Sequence, residues 1–362
     1  MKNKKVNWGI ISTAKIGWEH VIPAIQKSKN SKVTALASRD LLKAKTLAKK
    51  FKIPKSYGSY KELYQDPEID IIYNPLPNHL HIKTSIEASS YGKHILLEKP
   101  LSLKAKDLDP LIKAAKKNKV IIKEAFMVRH HPQWQWVKKY IQDGNIGAVS
   151  SISTIFSYFN KDPKNIRNIS KFGGGAIYDI GCYPTVISRY ILNQEPKRLV
   201  ATAIKDPKFQ TDILSSVMMD FGGIYSSYTV ATQSNNSQQV FILGTKKTIV
   251  VENPFNAVAS KPTTVVVYNG HSIYRKENTT KVFPATDQYE RQSTAFSNHL
   301  INRTKVDYDL KDAKKNFKAG NYLALSSLLL LTGLSIVLAQ IYTGQYFIQA
   351  LIYFSMALLC IL

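Results

Sequence analysis

The sequence predicts an α/β protein in two folded parts. The first is a doubly wound parallel sheet, the second an α+β domain with a largely antiparallel sheet, and an apolar, helical tail follows. Three observations predict this. Over residues 6–123 short apolar runs alternate with helix-patterned stretches, the rhythm of parallel strands joined by right-handed crossovers. Beyond about Gly147 apolar runs follow one another with few helical stretches between, as antiparallel strands do. From Gly320 to Leu362 there is no charged residue.

Each element follows from its local pattern. Residues 6–12 are apolar and end in a small-residue turn, which reads as a buried strand. Residues 15–28 read as a helix interrupted early by Pro23, 32–37 as a strand, and 41–51 as a helix closed by Pro54. Strand 69–73, helix 79–91 stopping at Gly92, strand 94–97, helix 104–117 and strand 120–123 complete the first domain, residues 1–123. In the second, residues 124–319, strands are expected at 149–159, 198–204, 213–220, 224–232, 239–243 and 263–268. Helices are expected at 176–192 and 287–301, and a last one begins at Asp309.

Composition excludes some functions. Lys and Arg number 50 against 25 Asp and Glu, a formal charge of +25. The lysines are spread along helical stretches such as 43–52 and 113–119 rather than interleaved with aromatics, so they read as a solvated surface and not a nucleic-acid site. Two cysteines, Cys182 and Cys360, build neither a disulfide framework nor a cysteine zinc site. No metal is expected. The uncharged stretch holds two apolar runs, 322–339 and 346–362, each near the length of a short membrane span. With Lys314, Lys315 and Lys318 just before it, the tail of residues 320–362 reads as a membrane hairpin anchoring a cytoplasmic catalytic domain. A frameshift or fusion product is the alternative.

The site-bearing motifs sit where strands end. Gly9-Ile10-Ile11-Ser12-Thr13-Ala14-Lys15-Ile16-Gly17 follows a strand and opens a helix, the context of a Rossmann dinucleotide fingerprint. That site asks for small residues so that backbone N–H groups can approach a pyrophosphate, and the usual three glycines here read Ser12, Ala14 and Gly17. At the end of the second strand Ser38-Arg39 stands where an acidic residue would bind the NAD ribose; a hydroxyl beside a guanidinium suits a 2′-phosphate. Pro75-Leu76-Pro77-Asn78 makes a stiff turn at the sheet's carboxyl edge, where ligands bind, and Asn78 can also cap the next helix. Glu98-Lys99-Pro100 ends another strand, and either faces that crevice or forms a surface ion pair. After Gly173-Gly174-Gly175 a helix begins that carries Asp179 and Tyr183 four apart on one face, an acid and a phenol suited to proton transfer. A capping aspartate and a packed tyrosine are the plainer reading.

Together, in this order, these motifs and Glu124-Ala125-Phe126-Met127 resemble the Gfo/Idh/MocA family of glucose–fructose oxidoreductases and inositol dehydrogenases, over residues 6–318. The sequence looks most like the dihydrodiol and xylose dehydrogenase branch, where tyrosine replaces the more usual catalytic histidine. The resemblance implies hydride transfer between a nicotinamide cofactor, NADP before NAD, and a hydroxyl or carbonyl carbon of a sugar, cyclitol or cyclic diol. It implies that Lys99 stabilises the developing alkoxide, that Tyr183 is the general acid/base, and that Asp179 orients the substrate or tunes the other two. The cofactor would lie along Ser12, Thr13, Ala14, Ile16, Ser38, Arg39, Pro75, Leu76, Asn78, His81, Glu98 and Lys99. Arg129 and His131 would line the substrate pocket, the Lys99–Pro100 bond would be cis, and the subunits would pair into a homo-oligomer. A non-catalytic cofactor-binding regulator and a membrane-tethered scaffold are the rival functions.

Overall fold

The computed structural model describes residues 5–270, 278–304, 307–316 and 318–319. The uncharged tail, and with it the expected membrane hairpin, lies outside the described residues. Among the described residues no helix is long and apolar enough to cross a membrane.

The first sheet is built from β1 (Val6–Ile11), α1 (Ile22–Lys27), β2 (Ser31–Ala37), α2 (Leu41–Lys50), β3 (Lys55–Tyr57), α3 (Tyr60–Gln65), β4 (Ile71–Asn74), α4 (His81–Ser90), β5 (His94–Leu97), α5 (Leu108–Lys117) and β6 (Ile122–Glu124). Its strands are parallel in the order β3-β2-β1-β4-β5-β6, so the order reverses between β1 and β4. Helices cover both faces, which is why β1 and β4 are buried almost throughout and read as continuous apolar runs. At Gly9 a Cβ would stand 2.7 Å from Leu63 Cδ2, so the strand needs glycine to pack there. The expected helix over 15–28 opens as a wide π turn at Gly17–Val21 before α1, and Pro23 falls in the first turn of α1, where its missing N–H costs nothing.

The second sheet comprises β7 (Val149–Phe159), β8 (Arg198–Lys205), β9 (Asp212–Asp220), β10 (Tyr225–Ala231), β11 (Gln233–Gly244), β12 (Lys247–Val251), β13 (Thr263–Asn269) and β14 (Asn278–Phe283), in the order β14-β13-β12-β11-β7-β10-β9-β8. Every pairing is antiparallel except β10 with β7. One face packs on α6 (Pro132–Gln142) and α7 (Cys182–Leu192) through Ile152, Val230, Ile242, Trp134 and Val186. The other face leaves Ile155, Val200, Ile204 and Met218 exposed.

Helix α8 (Gln288–Asn302) packs mainly on the first sheet, while Tyr289 at its start also meets the second core. Phe296 meets Trp8 edge-on at 5.9 Å, and Trp8 Nε1 donates to Ser297 Oγ at 3.1 Å. Leu310 and Ala313 likewise join the core under α5. The chain therefore crosses back to the first sheet, while Tyr289 and Tyr308 pack on the second core and Asp312 pairs with Arg189 of α7. Of the elements the pattern did not predict, β3 is three residues long and β14 is an exposed edge with little apolar alternation.

Candidate active site

The turn after β1 stands at the reversal point of the sheet, where open α/β sheets bind their ligands. Ser12 holds φ at 70°, the left-handed region a glycine would occupy freely, and its Oγ accepts from Ala14 N at 3.0 Å. The hydroxyl thus stabilises a turn that the absent glycine would otherwise make. Thr13 and Ala14 complete it, and small side chains here leave backbone within reach of a phosphate, so the residues fit a dinucleotide. One strand over, Ser38 is buried with its Oγ accepting from Asp40 N, while Arg39 is exposed beside Tyr60 and free to meet a ribose phosphate.

From this turn a cavity of about 730 Å³ runs across the carboxyl ends of β4 and β5 into the second domain. Ile16, Pro75, Leu76, Asn78, Glu98 and Lys99 line it, as expected, and so do Asp179 and Tyr183. Ser12, Thr13, Ala14, Ser38 and Arg39 lie beyond its wall on the side of β1 and β2. Asn78 does not cap α4; its Nδ2 donates to Gly173 O at 3.1 Å, and neighbouring His79 stacks on Phe172 at 4.6 Å. These contacts tie the first domain's turn to the second domain's glycine loop.

Asp179 is the hub of the charged cluster. It lies in a π turn, Ile177–Gly181, that leads into α7. The turn starts where Asp212 Oδ2 accepts from Ile177 N at 2.8 Å. Gly175 has φ 118°, and a Cβ there would collide with the Asp212 carboxylate, so both backbone and space require glycine. Lys99 Nζ reaches Asp179 Oδ1 at 3.2 Å and also donates to the Asp179 carbonyl oxygen. Tyr158 Oη donates to Asp179 Oδ2 at 2.6 Å, and Arg167 Nε donates to the same oxygen at 2.8 Å. Burial alone would raise the Asp179 pKa, but the Arg167 and Lys99 charges outweigh it and hold the carboxyl well below its ordinary value. Burial likewise disfavours the Lys99 ammonium, and Asp179 together with Cys182 and Glu98 outweighs it, holding Lys99 above its ordinary value.

The Lys99 ammonium lies over the Tyr183 ring, 4.9 Å from its centre, a cation–π contact. Lys99, Asp179 and Tyr183 are thus brought together, and the Lys99–Pro100 bond is cis. The Tyr183 hydroxyl points elsewhere: its Oη reaches Met127 Sδ at 3.8 Å. Burial pushes the Tyr183 pKa well above that of a free phenol. Glu98 is held by Tyr73 Oη, which donates to Oε1 at 2.7 Å, and burial raises its pKa.

Three expected residues do other work. His81 is fully buried, with ring nitrogens 2.9 Å from Pro100 O and 2.6 Å from Leu76 O, so it fastens the two lining loops to each other and is sealed from a cofactor. Burial lowers its pKa to about 4, leaving it neutral near pH 7. Arg129 does not line the cavity; its Nη1 pairs with Asp312 at 2.9 Å and its guanidinium lies 4.1 Å from the centre of the Tyr308 ring. His131 is buried and caps α6, its Nδ1 accepting from Gln133 N at 3.2 Å. Neither Arg129 nor His131 is in the cavity lining, because the chain turns away from the crevice after Met127. Conversely, Tyr158 and Arg167 had no motif to reveal them. One ends a long strand and the other sits in an irregular loop, and only the fold brings them to Asp179.

A doubly wound sheet whose reversal point opens onto a buried lysine, carboxylate and phenol defines a dinucleotide-dependent oxidoreductase. The chain belongs to the Gfo/Idh/MocA oxidoreductase family. Its NAD-binding Rossmann-fold model matches residues 6–126 and its C-terminal domain model residues 134–250. An uncharacterised oxidoreductase of Rhizobium meliloti is 39% identical over 323 residues, 89% of this chain and 97% of that protein. The NADP-dependent D-xylose 1-dehydrogenase 2 of Haloferax volcanii is 31% identical over 80% of this chain and 87% of its own length. The expected xylose and dihydrodiol dehydrogenase branch is borne out. The 3-ketoreductase of Actinomadura kijaniata, solved with NADP and TDP-benzene, superposes with a TM-score of 0.83 at 24% identity, over 89% of this chain and 98% of that one.

Proposed function

We propose that this protein interconverts a secondary or hemiacetal hydroxyl and a carbonyl on a sugar, cyclitol or cyclic diol, with NADP(H) as the preferred cofactor. The observation that carries the reading is Lys99 Nζ, held by Asp179 at the carboxyl end of β5, in the wall of a cavity that leads back to the nucleotide turn. The bound nicotinamide supplies the hydride acceptor or donor. The protein's own residues do the rest. Lys99 stays an ammonium and donates to the substrate oxygen, which gains negative charge as the carbon is oxidised or reduced. Asp179 keeps that ammonium charged and aimed. Tyr183 Oη gives or takes the hydroxyl proton. With its pKa raised it stays protonated near neutral pH, so a proton is on hand for carbonyl reduction, although the phenol is a weaker acid than a free one. Phe156, stacked on Phe255, and the Tyr183 ring, tilted against the same phenylalanine, form an apolar floor suited to the face of a ring-shaped substrate. Arg39 supports NADP over NAD. The exposed face of the second sheet, with Ile155, Val200 and Met218, supports pairing with a second copy.

The test is turnover of the full chain on matched alcohols and ketones of these three classes with each cofactor. Lys99→Ala should lose on the order of 10²–10³ in kcat, the scale of one preorganised transition-state donor, with NADPH affinity unchanged. Tyr183→Phe should lose turnover with its packing intact. Near-normal turnover in Lys99→Ala, or no reaction with any of the substrates, overturns the reading.

A further inference from the structure

We propose that the substrate carries an anionic oxygen group, a carboxylate or a phosphate, and that Arg167 reads it. The proposal rests on the oxidoreductase reading above and names the substrate class for that site.

Arg167 is a held residue. Its N donates to Asn165 Oδ1 at 3.0 Å, and its carbonyl accepts from Gly175 N at 2.9 Å. A Cβ on Gly174 would collide with that same carbonyl, so the loop is clamped against it. The side chain approaches Asp179 through Nε alone. Buried arginine–carboxylate pairs usually engage two N–H groups in parallel, but here Tyr158 Oη occupies the same oxygen and Lys99 the other. The outer edge of the guanidinium, Nη1 and Nη2, makes no hydrogen bond or ion pair among the described residues. That edge belongs to a side chain 42% exposed, on the cavity wall.

Near Asp179 the cavity wall sets two cations, Lys99 and Arg167, against the Asp179 and Glu98 carboxyls, and Glu98 is already engaged by Tyr73 Oη with burial disfavouring its charged form. Lys171, 5.4 Å from the ring of wall residue Phe172, adds another cation at the rim. A planar fork with its donors unspent fits the two oxygens of a carboxylate or a phosphate better than it fits lone hydroxyls.

The experiment compares kcat/KM for matched pairs with NADP(H): glucose with glucuronate, galactose with galacturonate, and glucose with glucose 6-phosphate. The carboxylate and phosphate arms separate the two sources. The wild type should favour one anionic member by about ten- to a hundredfold, the worth of hydrogen bonds to a charged group. Arg167→Gln should bring that ratio close to one while NADPH affinity holds. A role confined to steadying Asp179 would instead lower both members equally. Arg167→Lys serves if the Gln variant does not fold, since an ammonium keeps the charge beside Asp179 but not the fork. Turnover that favours neutral sugars, or a ratio untouched by either substitution, overturns this proposal alone. Absence of turnover with every pair and also with the cyclitols and cyclic diols of the preceding test overturns the hydroxyl–carbonyl reading and this one with it.

Discussion

The turn after β1 and the cluster around Asp179 both hold polar groups of a ligand, but with opposite materials. The turn offers backbone. Ser12 and Ala14 stand where glycines are usual, yet the turn forms, because what it presents is N–H groups and the Ser12 hydroxyl steadies its own left-handed conformation. The cluster offers side chains. Lys99, Tyr158 and Arg167 all bond Asp179, and Lys99 and Asp179 are nearly buried, so the charge of each needs the other. A site made of backbone tolerates changes of residue; a site made of buried charge does not.

Removing the hub should have the largest effect. Asp179→Asn leaves Lys99 without its counter-charge, 11% exposed, and should cost about 3 kcal/mol. That is the low end for a broken buried pair, since Arg167 is freer to turn toward water. The pH dependence follows from the lowered pKa of Asp179. Its contribution is complete above the ordinary carboxylate value of 3.8 and is lost as pH falls through the lower folded value. Denaturant unfolding should therefore show a wild-type advantage above about pH 5 that shrinks toward acid. An equal gap at pH 7 and pH 2.5 would mean that packing, not charge, holds the cluster.

An intermediate effect should come from Arg39, which belongs to the cofactor side but acts through its side chain. Arg39→Ala should weaken NADPH by about 1.5–3 kcal/mol in a direct titration and leave NADH nearly unmoved. Equal losses for both would place Arg39 outside phosphate recognition.

The smallest effect should come from the turn itself. Ser12→Gly relieves the left-handed strain but gives up the Ser12–Ala14 bond and frees the unfolded chain. These terms oppose one another, so stability should move by less than about 1 kcal/mol and NADPH affinity by no more than a few-fold. A large loss of affinity would show that the hydroxyl contacts the cofactor, and the contrast between backbone and side-chain sites would fail at its clearest point.

The sequence by itself determined the parallel sheet, because strands buried on both faces must be continuous apolar runs, and it located the lysine, acid and phenol, because each lies within a few residues of a punctuating Pro or Gly near an element's end. It placed the long strands of the second sheet as well, since β7 and β9 carry the alternation that a half-buried sheet imposes. Only the tertiary structure decided what those residues touch. Tyr158 and Arg167 lie 21 and 12 residues from Asp179 with no shared motif, and they meet it through the return of the glycine loop. His81, Arg129 and His131 sit beside signature residues in the chain but face away from the crevice into the framework. Helix α8 follows the second sheet in the chain and packs largely on the first because Phe296 and Ser297 find Trp8 there. Periodicity and turn chemistry are local and survive in a string of letters. Which way a loop returns depends on what the distant chain buries, and that is settled only by packing.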